Sequence, residues 1–386
     1  MTKKMVYYTS DKINKENATY NLIYGERSNG KSYNIKHTYA LEWFINKNKN
    51  LFTDNISEPV NLLDIKGRFV LVRRTSEQLT NEKIERYFSD CDIQKLTNGK
   101  YNIISVYRKE IYFSNYDIEK NKVKLGIKIG YAIPLSLEQN YAGASFLDVD
   151  NIIVEEFMSR DEGYLRNEPT KLQNLYSTID RKRGTTKVWL VGNTITRICP
   201  YLYEWGLIDL VKKQKQGNIV TTELSAGYDK IEDREIFIKL ALEFCDSTGR
   251  TSFAFGEHSD MLNTGAWQTD SQPTLTDSFK KYPCSLKIGF SYKGFKYLGR
   301  LLGCDDYLFW FISPFTKHEE FKDVVLIFSD KISTNLKYQT NIYDITIQNK
   351  RLHFILSETF NESMIFYSDD QTGTEFKQAI DFMIRK

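Results

Sequence analysis

Short apolar runs alternate with segments of helical spacing along the first half of the chain. Apolar and aromatic residues fill positions 20–24, 68–72, 151–154 and 187–191, and each run has the length of a buried strand. The intervals between these runs carry apolar residues at the spacing of helices. Buried strands that alternate with helices predict an α/β fold with a mostly parallel, doubly wound sheet.

The second half of the chain has a different pattern. Residues 229–245 carry apolar side chains at a spacing that we interpret as an amphipathic helix, and residues 263–278 have the polar composition of a linker. Alternating residues then predict a hairpin with its turn at Lys293 and Gly294, further strands at 307–312, 324–328 and 342–347, and a last helix. We therefore expect an α/β domain at 1–215, a helical connector and linker at 216–278, and a C-terminal α+β domain at 279–386.

A glycine-rich segment joins the first strand to the first helix. It matches the phosphate-loop pattern in full and reads Gly25, Glu26, Arg27, Ser28, Asn29, Gly30, Lys31, Ser32. The glycines allow backbone N–H groups to surround phosphate oxygens at a helix N-terminus. Lys31 supplies a point charge and Ser32 a magnesium ligand. The loop and the following Tyr33 are thus predicted to bind a nucleoside triphosphate with Mg²⁺.

Two adjacent carboxylates follow the strand at 151–154. Glu155 and Glu156 stand at its carboxyl end, where parallel sheets bind their ligands, whereas Asp150 precedes the strand. We expect Glu155 to hold magnesium and Glu156 to orient the attacking water. Asn193 ends the next strand at the same edge. Its amide is a candidate for sensing the γ-phosphate or holding the water, and a turn-forming role remains open.

Consecutive basic residues occur in two further segments of the chain. Arg181, Lys182 and Arg183 precede the strand at 187–191. Two interpretations of them remain open, an arginine finger that reaches the nucleotide of a neighbouring subunit and a solvated helix end whose cations favour the helix dipole. Arg73 and Arg74 follow the second strand, where they serve either a subunit interface or the phosphates.

Composition narrows the class of protein. A length of 386 residues favours two domains, and a net charge of +3 confines any nucleic-acid surface to local patches. The five cysteines are scattered without metal-ligand spacing, which is typical of free thiols in a reducing compartment. Because no apolar run approaches the length of a membrane span, we expect a protein that does not enter membranes.

These motifs together resemble the DNA-packaging ATPases of phi29-like tailed phages. The matching stretches are the phosphate loop, Val72-Arg73-Arg74, Ala132-Ile133-Pro134-Leu135-Ser136, Ile153-Val154-Glu155-Glu156-Phe157, Asn167-Glu168 and Asn193. The resemblance implies an additional-strand, catalytic-glutamate (ASCE) P-loop ATPase that uses ATP and Mg²⁺. It implies a homomeric ring, expected to be pentameric, that drives double-stranded DNA into a procapsid at its portal.

The resemblance implies further properties of the protein. The family works in the host cytoplasm, attaches transiently to the procapsid, is absent from the mature virion, and leaves room for a scaffold RNA. Its first carboxylate after the strand is usually Asp, so Glu155 departs from the pattern by one methylene. Its trans-acting arginine maps by position onto Arg181, with Arg183 as the alternative.

The resemblance implies less about the C-terminal region and the DNA contacts. Beyond about residue 215 it suggests a vestigial RNase H-like domain, because residues 285–292 carry no carboxylate that would hold a nuclease metal. DNA contacts are expected mainly with phosphates. Lys120, Lys122 and Lys124 of a hairpin-like insert are candidates for these contacts, and a solvated run of charge remains the other interpretation.

Three other functions compete with the packaging motor. A terminase-like motor that also cuts DNA is disfavoured by the missing strand carboxylate. A small-molecule kinase or guanine-nucleotide switch is disfavoured because no Asn-Lys pair is followed two residues later by Asp. A passive portal component, whose loop no longer hydrolyses nucleotide, remains open.

Overall fold

The chain divides into two compact units. The computed structural model describes residues 7–53, 64–159, 163–249, 255, 264–267, 269–275, 280–304, 307–315, 324–331, 338–339 and 364–384. The first unit contains Met1–Thr194, Gln214–Thr251 and Asn263–Gly265, and the second contains Ile195–Lys213, Ser252–Leu262 and Ala266–Lys386. This division differs from the expected boundaries after residues 215 and 278, because the chain passes between the units more than once.

The first unit is built on one large sheet. Its strands are β1 (Tyr20–Gly25), β2 (Arg68–Arg73), β3 (Ile103–Tyr107), β4 (Glu110–Asp117), β5 (Lys122–Pro134), β6 (Val149–Glu155), β7 (Lys187–Asn193), β8 (Ile219–Asp229) and β9 (Arg234–Phe244). Its helices are α1 (Asp11–Lys15), α2 (Lys31–Ile35, continued by a π-helical stretch Lys36–Glu42 and by Trp43–Lys47), α3 (Asn81–Phe88), α4 (Ile93–Leu96) and α5 (Glu168–Asp180). Short 3₁₀ segments occupy Lys49–Phe52, Ser76–Leu79 and Leu135–Tyr141.

The strand order is β3-β4-β5-β2-β6-β7-β1-β9-β8. The six strands from β5 to β9 are parallel, and antiparallel strands close both edges. The predicted mostly parallel sheet is therefore confirmed. Strand β7 lies between β1, which leads into the phosphate loop, and β6, which ends at Glu155. This additional strand is the arrangement that defines the ASCE class.

Burial explains why the central strands read as continuous apolar runs. All six residues of β1 are buried, because a parallel sheet is covered on both faces. Trp189 of β7 lies at the centre of the core, where its ring stacks on Tyr39 with centroids 3.7 Å apart. Its indole N–H donates to Asn151 Oδ1 at 3.0 Å, so the one polar group of this side chain is satisfied.

The helix predicted at residues 229–245 is wrong. This segment is the end of a β-hairpin formed by β8 and β9, and β9 pairs in parallel with β1 in a register that joins Tyr20 to Leu240. The apolar residues fit both a helical and an extended spacing, but only a strand satisfies the backbone groups on the open side of β1. The helical connector predicted within 216–278 is wrong for the same reason.

The second unit contains a smaller sheet. Its elements are α6 (Pro200–Glu204), α7 (Ile208–Lys213), β10 (Cys284–Tyr292), β11 (Phe295–Cys304), β12 (Tyr307–Pro314), β13 (Leu326–Ser329), β14 (Tyr338–Gln339), β15 (Ile365–Tyr367) and α8 (Asp370–Ile384). The order is β14-β13-β10-β11-β12-β15. Strands β10 to β12 form an antiparallel meander, and β13 and β14 extend it in parallel on the side of β10.

This order agrees with the predicted RNase H-like domain, in which two parallel strands extend a three-stranded meander. The hairpin predicted at Lys293 and Gly294 is confirmed, and the strand predicted at residues 342–347 lies outside the described part of the chain. Within the described residues, no helix is both long enough and apolar enough to cross a membrane.

Candidate functional site

The phosphate loop joins β1 to α2 at the carboxyl edge of the large sheet. Gly25 and Gly30 have positive φ angles of 154° and 95°. A Cβ atom at Gly25 would lie 3.1 Å from the Cβ of Cys245, so close packing as well as backbone conformation requires glycine there. The loop backbone is also tied to the neighbouring strand, because Thr194 N donates to Gly25 O at 3.2 Å.

The Lys31 side chain is buried inside the loop. Its Nζ donates to Asn29 Oδ1 at 3.1 Å, to Asn193 Oδ1 at 3.4 Å and to the carbonyl oxygen of Glu26. Burial lowers the pKa of Lys31 to about 8, although nearby acidic groups, Glu155 among them, partly oppose this shift. The ammonium is therefore held by neutral acceptors at the point where a phosphate loop receives phosphate oxygens.

Glu155 forms a buried carboxylate site with two hydroxyl groups. Ser32 Oγ donates to Glu155 Oε2 at 3.0 Å, and Tyr87 Oη donates to Glu155 Oε1 at 2.7 Å. Burial raises the pKa of Glu155, while these two hydrogen bonds act in the opposite direction. Within the described residues, no cluster of three or more His, Cys, Asp or Glu side chains is placed to hold a metal.

The oxygens of Ser32 and Glu155 nevertheless fit Mg²⁺. This ion is commonly held by one or two protein oxygens, with substrate phosphates and water completing its coordination. The contact between the two side chains shows that the longer arm of Glu155 still reaches the start of α2. The additional methylene, relative to Asp, is accommodated by the Tyr87 hydroxyl, which holds the other carboxylate oxygen.

Glu156 has a different environment from its neighbour. Its φ angle of +57° is uncommon for a residue with a side chain, and such conformations concentrate at functional sites. The side chain is 54% exposed, and its Oε2 accepts a hydrogen bond from Arg73 at 2.8 Å. Glu156 is thus half-exposed and paired with Arg73, whereas Glu155 is buried with Ser32 and Tyr87.

The two arginines after β2 contact the segment that follows β6. Arg74 donates to the carbonyl oxygens of Glu156 and Phe157 at 2.6 and 2.7 Å and forms an ion pair with Glu168 at 2.9 Å. The Glu168 side chain is only 1% exposed, so this ion pair is buried. The sequence left two roles open for Arg73 and Arg74, at a subunit interface or at the phosphates. Their contacts within the chain have a different role, because they hold the backbone around the candidate catalytic glutamate.

The remaining loop residues divide by burial. Glu26 is buried, and its carboxylate accepts hydrogen bonds from the backbone and side chain of Thr248 at 2.6 and 2.9 Å. Arg27 and Ser28 are exposed, and Tyr33 is 43% exposed with its ring stacked on His37. Glu26 therefore anchors the loop to the segment after β9, while the side chains of Arg27, Ser28 and Tyr33 are exposed.

The arginines after α5 lie at the opposite edge of the sheet. Arg183 donates to the carbonyl oxygen of Val149, the first residue of β6, at 3.0 Å. The length of β6 separates this point from Glu155 by about 20 Å at ~3.3 Å per residue. Arg181 donates to the carbonyls of Gly143 and Ala144 at 3.2 and 2.7 Å. In its own chain, Arg181 is therefore not part of the phosphate site.

The three candidate DNA-binding lysines also lie away from the phosphate loop. Lys120, Lys122 and Lys124 are exposed at the turn between β4 and β5 and at the start of β5. The structure thus brings together Lys31, Ser32, Glu155 and Asn193, with Glu156 beside them, and separates the lysines and Arg181 from this group.

Sequence reasoning missed Tyr87, Thr248 and the contact between Arg73 and Glu156. Tyr87 is 68 positions from Glu155, and Thr248 is 222 positions from Glu26. No local pattern marks either residue. Only the general expectation that a buried carboxylate needs hydrogen-bond donors would have prompted a search for a residue such as Tyr87.

The fold and the site define the class of protein. A phosphate-loop sequence between a strand and a helix, a buried carboxylate on the strand two positions away and a further glutamate beside it are the features of the P-loop fold of the ASCE type. The family model for the Podovirus DNA encapsidation protein (Gp16) matches residues 1–253. The chain belongs to this family, and the resemblance stated from its motifs is confirmed.

Individual relatives extend the similarity beyond the family match. The chain is 25% identical over 346 residues to the DNA packaging protein of Bacillus phage phi29, covering 88% of this chain and 87% of that protein. It is 25% identical over 271 residues to the DNA packaging protein of Bacillus phage PZA, covering 70% and 66%.

A solved structure supports the fold of the whole chain. A chain of the bacteriophage Phi-29 viral genome packaging motor assembly superposes with a TM-score of 0.53 at 20% identity and covers 98% of this chain and 99% of its own length. The predicted genome-packaging function is thus confirmed through the family, and the predicted fold through this structure.

We predict that Tyr87→Phe lowers the apparent affinity for Mg²⁺ in nucleotide turnover. Without the hydroxyl, Glu155 Oε1 loses its donor, and loss of such outer hydrogen bonds typically costs about 10- to 100-fold in metal affinity. Titration of Mg²⁺ at saturating nucleotide should show a raised half-saturating concentration with a smaller change in the maximal rate. Tyr101→Phe, a half-buried tyrosine elsewhere in the first unit, is the matched control. An unchanged Mg²⁺ titration would contradict the positioning role.

We also predict that nucleotide affinity falls as the pH rises through about 8. The pKa of Lys31 is lowered to about 8, so the cation that binds phosphate is complete at pH 6.5 and is lost progressively above pH 8. Equilibrium titration with a fluorescent nucleotide, at constant ionic strength between pH 6.5 and 9.5, measures this change. Lys31→Arg, whose charge persists over the range, should give a flat profile whatever its absolute affinity. A flat profile in the unaltered protein would show that the buried lysine does not titrate in this range.

Proposed function

We propose that the chain is the ATP-hydrolysing subunit of a motor that moves double-stranded DNA into the phage procapsid, working as a homomeric, pentameric ring at the portal. The observation that carries the proposal is the convergence of Lys31, Ser32, Glu155 and Asn193 at one edge of the sheet, with Glu156 adjacent, in a member of a DNA encapsidation family. Family membership supplies the DNA-packaging context, and the site supplies the chemistry of nucleotide hydrolysis.

Each residue of the site has a role in this proposal. The loop amides and Lys31 bind the β- and γ-phosphates of ATP, and Ser32 and Glu155 hold Mg²⁺. Held by these two residues, Mg²⁺ would supply positive charge to neutralise the transferred phosphoryl group. Glu156 orients the attacking water and accepts its proton, and Asn193 reports the presence of the γ-phosphate through its contact with Lys31. Release of Glu156 from Arg73 precedes its action on water, because the guanidinium of Arg73 occupies one oxygen of the carboxylate in this structure.

We further propose that the second unit has no nuclease activity. Strand β10 carries no carboxylate, and Asp330, which directly follows β13, accepts a hydrogen bond from the backbone N–H of Lys293 at 3.0 Å. Asp330 is thus engaged by the chain's own backbone, and β10 supplies no carboxylate for the two metal ions that a nuclease of this fold needs. The unit instead serves docking or grip on DNA.

Partners and location follow from the packaging role. The ring acts in the host cytoplasm, attaches transiently to the portal of the procapsid, is absent from the mature virion and has room for a scaffold RNA. Because Lys120, Lys122 and Lys124 are exposed and outside the nucleotide core, two roles are open to them, contact with DNA phosphates and contact with another copy of the chain.

We predict that Glu156→Gln lowers ATP turnover by about 10²-fold or more, since a positioned general base contributes ~10²–10⁴-fold. Steady-state hydrolysis is measured with and without linear double-stranded DNA, alongside Lys31→Ala and the exposed control Glu82→Gln. DNA should stimulate the unaltered protein and remain uncut on a gel with Mg²⁺ or Mn²⁺. Turnover that ignores DNA would favour a metabolic or switch NTPase, and cut DNA would favour a terminase-like nuclease.

We predict that Arg181 acts on the nucleotide of a neighbouring copy. Arg181→Ala and Glu156→Ala chains, each inactive alone, should regain ATP hydrolysis when mixed, because an intact glutamate then meets an intact arginine across an interface. Arg183→Ala serves as the comparison, since the Arg183 guanidinium already binds several backbone carbonyls and its loss should lower stability instead. Mixed chains that remain inactive would exclude a trans role for Arg181.

A further inference from the structure

One two-stranded ribbon extends beyond the large sheet at the edge formed by β3, β4 and β5. Pairing between β5 and β2 begins only at Gly130, and β3 pairs with β4 only as far as Ser114. Beyond these points, residues 115–124 pair only with each other in the sheet, Asn115 with Lys124, Tyr116 with Val123 and Asp117 with Lys122. We call residues 115–125 the basic ribbon, because they contain three lysines and two carboxylates. Asp117 forms an ion pair with Lys120, so the excess positive charge lies at Lys122 and Lys124. Ile118, Val123 and Leu125 are 82%, 49% and 42% exposed.

A second ribbon extends beyond the opposite edge of the same sheet. Pairing between β9 and β1 begins at Leu240, so residues 225–237 of β8 and β9 pair only with each other. We call this segment the acidic ribbon, because the seven residues from Asp229 to Glu235 contain four carboxylates and two cations. Its exposed apolar surface comes from Tyr228, Ile231 and Phe237, which are 60%, 95% and 51% exposed.

Both ribbons project from the same end of the sheet. Strand β5 is parallel to its neighbour β2, and β9 is parallel to its neighbour β1. Both β5 and β9 begin several residues before the point where this pairing starts. The overhang of β9, residues 234–239, is about 20 Å long at ~3.3 Å per residue. Because both overhangs precede their neighbours, they lie at the amino ends of the strands, away from the phosphate loop. The two ribbons thus lie at the same end of the large sheet, one at each of its two edges.

Neither ribbon is expected to remain uncovered. A two-stranded ribbon alone is marginally stable in water, and exposed large apolar side chains that cluster in one segment mark interaction sites. DNA would cover only the basic ribbon, because four carboxylates repel its phosphates. A partner that covers both ribbons needs an acidic, apolar surface for the basic ribbon and a basic, apolar surface for the acidic ribbon. The opposite edge of a second copy of this chain meets both requirements.

We propose that the basic ribbon of one copy docks on the acidic ribbon of the next. Contact between two different surfaces of identical chains is heterologous, and such contacts close into a ring when the rotation allows it. Tyr228 and Phe237 pack against Val123 and Leu125, and the opposite charges of the two turns fix the pairing. The proposal rests on the self-assembly that the proposed function requires, and adds the surfaces that carry it.

Charge reversal tests the pairing. Lys122→Glu with Lys124→Glu, and separately Glu232→Lys with Glu235→Lys, should each weaken self-association of the full chain by tenfold or more, measured by sedimentation velocity with an ATP analogue and double-stranded DNA. A chain that carries all four substitutions restores complementary charges and should return to within about threefold of the unaltered protein. Lys49→Glu with Lys95→Glu matches the charge change at exposed sites outside the ribbons and should have no effect.

A cross-link tests the contact directly and does not depend on a strong equilibrium. Ile118→Cys chains mixed with Ile231→Cys chains should form an oxidised pair under the same conditions, with each variant alone giving the background from the exposed Cys284. Absence of this cross-link above background overturns the proposal. Failure of the four-substitution chain to recover also overturns it, as does a lysine reversal that weakens DNA binding while self-association stays unchanged. ATP turnover that depends on Glu156 is measured separately, so failure of the ribbon contact leaves the proposed function standing.

Discussion

The buried carboxylate of Glu155 is the group on which the arrangement of the site depends. An ionised carboxylate removed from water is strongly destabilised unless hydrogen-bond donors replace the water, and here Ser32 and Tyr87 supply them. These two donors come from the first turn of α2 and the last turn of α3, and Glu155 ends β6. Satisfying one carboxylate thus fixes the start of the phosphate-loop helix relative to the strand that bears the candidate metal ligand.

The phosphate loop is supported in the same way on its other side. Glu26 is buried against Thr248, which follows β9, and Gly265 lies so close that a Cβ there would approach Glu26 N to 2.4 Å. Thr194, at the end of β7, donates through its hydroxyl to Gly265 O at 2.7 Å. The loop is therefore packed against segments that lie next to the points where the chain leaves the first unit.

Adjacent charged residues have opposite environments in this site. Glu155 is buried and held by hydroxyls, whereas Glu156 is half-exposed and held by Arg73. Arg73 and Arg74 likewise separate, because the first binds a side chain at the surface and the second forms a buried ion pair with Glu168. Consecutive residues at a strand end point to different faces, so two neighbours can divide metal binding and water activation between them.

The sequence by itself determined the local parts of this protein. The strand, loop and helix around Lys31, the buried runs of β2, β6 and β7 and the hairpin at Lys293 depend on residues that are close in the chain, so their patterns were sufficient. The resemblance to the family added the additional-strand class of the sheet. Only the tertiary structure decided the secondary structure of residues 229–245. Their apolar spacing fits both a helix and a strand, and the strand forms because it pairs with the otherwise unpaired side of β1. It also decided which donors hold Glu155 and Glu26, since hydrogen bonds between residues 68 and 222 positions apart exist only after the sheet has assembled.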